Sequence, residues 1–297
     1  MNLYTERYRL RKEKEQTYVI TADMYTVLFD CCFTFGDYIA WKYPLECPDG
    51  KGVYGLNMSK LDSHLKFEIP TLYRNYAGQI TTPSAHSEFD PFAIFDLIEF
   101  FVSQMRDIYR RTWHEYFKHR DFDYGNTIEI RATFRKRINE EFVKMGLLYT
   151  LTEQQQIERV VENGVLSEEI ENAVKNVGEQ GLKGLLQEAI FLHKSPYPAD
   201  HKDAVEKIWD ALERLKTYHA HLDKKQSLAK IIGDMSGEQE AFAVLFNDEF
   251  KALTAIGNDF RIRHHEINRT DILDDKHYDY FFNRCMSLIS LALQYLT

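Results

Sequence analysis

Asp90-Pro91-Phe92-Ala93-Ile94-Phe95-Asp96-Leu97-Ile98-Glu99-Phe100-Phe101-Val102-Ser103-Gln104-Met105-Arg106 is the stretch on which the fold class turns. Proline is favoured at the first position of a helix, where its missing N–H costs nothing. Ile94, Leu97, Ile98, Phe101, Met105, Ile108 and Tyr109 then recur at helical spacing. The pattern predicts the longest helix of the chain, running on to Arg120. Its second half is basic and aromatic, and Arg106, Arg110, His114 and Lys118 stand four apart, on one helical face. Two readings of that face stand. It is a solvated surface paired with acidic neighbours, or an RNA-binding track with aromatics for base stacking.

Upstream, Met24, Leu28, Cys31, Cys32, Phe35 and Ile39 predict a helix over residues 22–43, with Thr21 as its N-cap and Pro44 as its end. Cys47-Pro48-Asp49-Gly50-Lys51-Gly52 is turn chemistry, and residues 53–90 read as loops with short helical pieces. Downstream, residues 121–126 read as a turn and 131–144 as a helix. Residues 147–151 and 156–161 form a small hairpin. Helices follow over 167–177, 182–193, 200–218, 227–235, 241–256 and 277–296. The expected fold is all-α with one minor β-hairpin, a single domain over residues 1–297. Residues 1–125 would be an N-terminal helical elaboration and 126–297 the core bundle.

A 44% hydrophobic content supports a sizeable core. No run of about 18 apolar residues appears, so no membrane is expected. The N-terminus lacks an apolar signal region and the four cysteines lack zinc-ligand spacing, which predicts a cytoplasmic protein with reduced thiols. A formal charge of -9 disfavours a protein that coats nucleic acid and confines any such role to a local patch.

The densest chemistry lies at Gly257-Asn258-Asp259-Phe260-Arg261-Ile262-Arg263-His264-His265-Glu266, between two amphipathic segments. A histidine near neutrality can take the proton of a ribose 2'-hydroxyl while guanidinium groups hold the phosphate. RNA brings its own nucleophile, so neither metal nor cofactor is required. The plain alternative is a charged turn that ties two helices through ion pairs. A metal site among His264, His265, Glu266, Asp271, Asp274, Asp275 and His277 has the wrong spacing, since adjacent helical residues point about 100° apart. No metal is assigned. Nucleotide loops and serine-hydrolase elbows are absent.

Asn258-Asp259-Phe260-Arg261-Ile262-Arg263-His264, followed by an apolar terminal helix, resembles the polar motif of HEPN domains in abortive-infection (AbiJ-like) phage-defence proteins. The opening Tyr4-Thr5-Glu6-Arg7-Tyr8, the 147–151 wing and the segments 182–192, 202–215 and 227–232 agree with that likeness, which covers most of the chain. The resemblance implies an elaborated HEPN-like helical bundle and an antiviral, toxin-like endoribonuclease that works without metal. It also implies a homodimer, RNA such as tRNA as substrate, and an antitoxin or sensor protein as partner. The implied catalytic set is Asn258, Asp259, Arg261, Arg263, His264 and His265, with His264 as the motif histidine. The motif's first position is Asn258 where the family has arginine. Arg261 or Arg263 then supplies the guanidinium from a shifted position, or the site is a non-catalytic sensor or docking surface.

Overall fold

A computed structural model describes residues 4–8, 15–161, 164–260, 262 and 270–296. The chain divides into two compact units, Met1–Arg159 and Val160–Thr297.

In the first unit a short helix α1 (Tyr4–Arg7) precedes α2 (Ala22–Thr34). Thr21 caps α2 as expected, its hydroxyl accepting from the Met24 N–H at 3.3 Å. A 3-10 turn (Gly36–Ile39), β1 (Pro44–Glu46), β2 (Val53–Leu56), α3 (Met58–Glu68) and α4 (Ala93–Gln104) follow. Then come β3 (Ile108–His114), β4 (His119–Tyr124), α5 (Ile130–Met145), β5 (Tyr149–Leu151) and β6 (Ile157–Arg159). The core joins Tyr25, Leu28 and Cys32 of α2 to Ile94, Leu97 and Phe101 of α4 and Phe134, Ile138 and Phe142 of α5.

The long helix is where the sequence reading fails. α4 stops at Gln104 and the chain turns extended at Met105, with ψ 139°. Arg106 lies over the Trp41 ring at 3.6 Å. The Asp107 carboxylate accepts from the N–H groups of Glu129 (2.8 Å) and Ile130 (2.7 Å), which starts α5. The residues beyond are β-branched and aromatic and find a partner strand, as such side chains favour. β3 pairs antiparallel with β4 from Ile108↔Tyr124 to His114↔His119. With β1 and β2 they make a four-stranded sheet in the order β1-β2-β4-β3. The all-α, HEPN-like bundle is therefore corrected to a mixed α/β fold. Pairing between distant segments, invisible to local periodicity, outweighs the helical spacing of the apolar residues. The expected small hairpin does form, as β5 and β6. Asn139 of α5 pins it, accepting from the Leu151 N–H at 2.7 Å and donating to the Leu151 carbonyl at 3.0 Å.

The second unit's described residues form six helices: α6 (Glu168–Lys175), α7 (Gln180–Lys194), α8 (Pro198–Leu215), α9 (Lys224–Ser236), α10 (Glu240–Asp259) and α11 (Asp275–Leu293). Two of their starts have a plain local cause. Pro198 sits in the first turn of α8, and Asp223 with Gln226 closes a capping box on α9. Trp209, Leu212 and Ile208 of α8 meet Leu182 and Leu186 of α7, Phe250 and Leu253 of α10, and Phe282 and Ile289 of α11 in one core. Among the described residues no helix is long and apolar enough to cross a membrane.

Glu179 ties α7 to α8. Its carboxylate accepts from the N–H groups of Gly181 (3.0 Å) and Leu182 (2.6 Å) and from the Arg214 guanidinium at 2.8 Å on both oxygens. Gly181 leaves room for that guanidinium, which would lie 2.3 Å from an added Cβ. The Arg214 hydrogen bonds hold the Glu179 carboxyl down at about 2. A depressed folded value means the stabilisation is complete above the unfolded pKa, about 4.3, and is lost as pH falls towards 2. Glu179→Ala should cost about 1–2 kcal/mol at pH 7 and flatten the acid limb of a stability–pH curve between those values. An unaltered acid limb in urea titrations would contradict this.

Candidate functional site

The polar stretch begins on the last turn of α10. Asn258 and Asp259 end that helix, and the Phe260 N–H still bonds the Ile256 carbonyl at 3.0 Å. The Asp259 carbonyl accepts from the Thr270 N–H at 3.2 Å, beside a bridge between Phe260 and Thr270. Ile262 is 2% exposed and joins the core. The end of α10 and Thr270 are thus hydrogen-bonded together. Arg261, Arg263, His264 and His265 lie outside the described residues.

Asn258 also lines a cleft of about 310 Å³ with Lys216, Leu228, Phe250, Lys251, Thr254 and Ala255. Lys216 is buried, its ammonium donating to Glu213 at 2.6 Å and Thr254 at 2.5 Å. Burial would raise the Glu213 carboxyl, but hydrogen bonds from Lys216 and Lys224 outweigh it and hold it below its ordinary range. Lys251 is exposed at the cleft rim. The cleft thus offers the Asn258 amide and the exposed Lys251 ammonium, which lies 3.4 Å from Asp248, while Lys216 is committed to Glu213 and Thr254.

The four residues of the expected RNA-binding track do not share a helical face. Arg106 precedes β3, Arg110 and His114 lie on it, and Lys118 sits in the hairpin turn with φ 56°. Arg110 donates to Asp123 across the strands at 2.6 Å, a bond that raises its pKa. Lys118 pairs with Glu115, and with Trp113 it lowers that carboxyl. Arg110 and Lys118 are thus paired within the hairpin, while Arg106 stacks on Trp41. Trp113 and Tyr116 remain exposed there.

His114 has different company. Its Nδ1 lies 3.5 Å from Cys47 Sγ and 3.2 Å from Asp121 Oδ2, while His119 Nε2 lies 3.1 Å from Asp121 Oδ1. One donor atom from each of the four residues falls within 4.8 Å of the others. Cys47, His119 and Asp121 were not among the residues singled out from the sequence. The available signal was a pair of histidines bracketing a hairpin turn with an aspartate two residues on, plus a cysteine opening a Pro-Asp-Gly turn.

No family model, curated protein or solved structure matches this chain. Function is therefore argued from these two sites alone.

Proposed function

We propose that the chain is a HEPN-type antiviral effector that cuts RNA without metal, with the residues that lie between Asp259 and Thr270 in the sequence. The observation that supports this reading is the cleft at the end of α10, where Asn258 stands beside Lys216 and Lys251. The Asp259–Thr270 hydrogen bond adds to it, because it brings together the two described residues that flank Arg261, Arg263, His264 and His265 in the sequence. A backbone phosphate would be held by the guanidinium and ammonium groups. His264 would take the 2'-hydroxyl proton as the 2'-oxygen attacks phosphorus, and His265 would return a proton to the departing 5'-oxygen. The products are a 2',3'-cyclic phosphate and a 5'-hydroxyl, and no external reagent is consumed. The test is RNA cleavage by purified chain in excess EDTA. Absence of cleavage by folded protein would overturn the nuclease reading.

A second reading is favoured by one feature of α10. Phe242 and Leu245 are exposed at 46% and 57% on one face of the helix, and Phe242 stacks on Phe246 of the same face. An apolar strip of this kind suits an interaction module that dimerises or docks a sensor or antitoxin protein. On that reading Leu245→Glu abolishes self-association and leaves thermal stability unchanged. Wild type sedimenting as a monomer at micromolar concentration would count against it.

A further inference from the structure

We propose that Cys47, His114, His119 and Asp121 of the first unit bind one zinc ion. This inference goes beyond the nuclease reading and is independent of it, since it concerns the other compact unit.

The sheet assembles the set. His114 ends β3 and His119 opens β4, and the two are directly paired across the hairpin. Asp121 lies two residues beyond His119, on the same face of its strand. β2 pairs with β4 at Val53↔Phe122, which brings the turn after β1 alongside. That turn is fixed by backbone bonds from the Cys47 N–H to the Gly52 carbonyl and from the Gly50 N–H to the Cys47 carbonyl, both 2.8 Å. Gly50 adopts φ 73°, open to glycine at no cost. Gly52 has a separate reason to lack a side chain. A Cβ there would lie 2.6 Å from the Asp121 carboxyl carbon, so the glycine is what lets the carboxylate reach the set.

The donor separations fall near the edges of a tetrahedron around zinc, within the 4.8 Å that encloses the group. Zn–S near 2.3 Å and Zn–N or Zn–O near 2.0–2.1 Å give edges of about 3.6 Å from sulfur and about 3.3 Å between the lighter donors. The observed edges are 3.5 Å from Cys47 Sγ to His114 Nδ1 and 3.2 Å from His114 Nδ1 to Asp121. His119 Nε2 lies 3.1 Å from the other carboxylate oxygen, Asp121 Oδ1, so the aspartate reaches both imidazoles, and one donor atom from each of the four residues lies within 4.8 Å of the rest. The surroundings fit too. Asp49 Oδ2 lies 3.8 Å from His114 Nε2, the outer carboxylate that turns a ligating imidazole towards its metal. Tyr54 stacks on His119 at 4.1 Å, and Phe117 sits edge-on to His114 at 4.9 Å, so aromatic rings wall the group. Thiolate and carboxylate together balance the charge of a divalent ion. The mixed sulfur, nitrogen and oxygen donors select zinc over magnesium or calcium. Four protein donors leave no place for a reactive water, so the ion is structural. It staples the hairpin that carries Trp113, Tyr116 and Lys118 to the turn after β1.

The full chain, expressed with zinc and dialysed, should hold about one zinc per chain by mass spectrometry of the metal. Stripped protein titrated with Co(II) should show tetrahedral visible bands and a thiolate-to-cobalt absorption, both displaced by one equivalent of zinc. Cys47→Ser should lose the thiolate band, and His119→Ala should weaken binding at least about tenfold, while Cys31→Ser keeps the wild-type spectrum. Wild type without zinc and without the thiolate band overturns the proposal, as does Cys47→Ser retaining the band. The wild-type spectrum decides even if a variant fails to fold. Among the described residues Cys47 is the one cysteine that belongs to a group of three or more such donors.

Discussion

Trp209→Ala should destabilise the second unit by about 3–5 kcal/mol, the largest stability effect expected of a single side chain here. Trp209 is 1% exposed and lies at the meeting of α8, α10 and α11. Its indole N–H donates to the Leu253 carbonyl at 2.8 Å, and Phe281 meets the ring edge-on at 6.1 Å. The ring fills the space that Gly257 leaves open. A Cβ on Gly257 would sit 2.4 Å from two indole atoms, well inside contact distance. Gly257→Ala should therefore cost about 1–3 kcal/mol by overpacking, and more with a larger side chain. The two sites share one contact, so Trp209→Ala combined with Gly257→Ala should cost clearly less than the sum. Urea unfolding followed by far-ultraviolet circular dichroism reads all three values. Full additivity would show that the indole and the glycine do not define one another. The consequence for function is direct, because Gly257 immediately precedes Asn258 and sets how the end of α10 meets the cleft.

His264→Ala should lower the rate of RNA cleavage by about 10²–10⁴-fold while leaving the unfolding midpoint within the wild-type range. On the nuclease reading, deleting the imidazole removes the group that would take the 2'-hydroxyl proton. Arg261→Ala or Arg263→Ala should act differently, by weakening the hold on phosphate; removing such a donor costs about 10²–10³-fold. Retained cleavage in His264→Ala would remove the histidine from the chemistry.

Much of the second unit was legible because its signals are local. The 3.6-residue stripe of α8 acts within a turn or two of itself. The same holds for Thr21 on α2 and for the short hairpin of β5 and β6. The sheet was not legible. β1 and β2 span three and four residues, too short to show alternation. β4 carries His119-Arg120-Asp121-Phe122-Asp123-Tyr124, whose aspartates read as a turn, yet Asp123 meets Arg110 and Asp121 meets two histidines. β3 was absorbed into the helix before it, because Ile108 and Tyr109 continue the stripe of α4 in register. The polar stretch was visible as a run of chemistry. The cleft beside it was not, since Lys216 comes from the end of another helix. The four-donor set escaped for the same reason, being gathered from residues 47, 114, 119 and 121 only when the sheet pairs.

The most direct measurement is the end chemistry of RNA fragments made by wild type and His264→Ala, side by side, in excess EDTA. The nuclease reading predicts fragments with 2',3'-cyclic phosphate and 5'-hydroxyl ends from the wild type and none from the variant. Intact RNA with folded wild type, fragments bearing 5'-phosphates, or equal cleavage by the variant would contradict it.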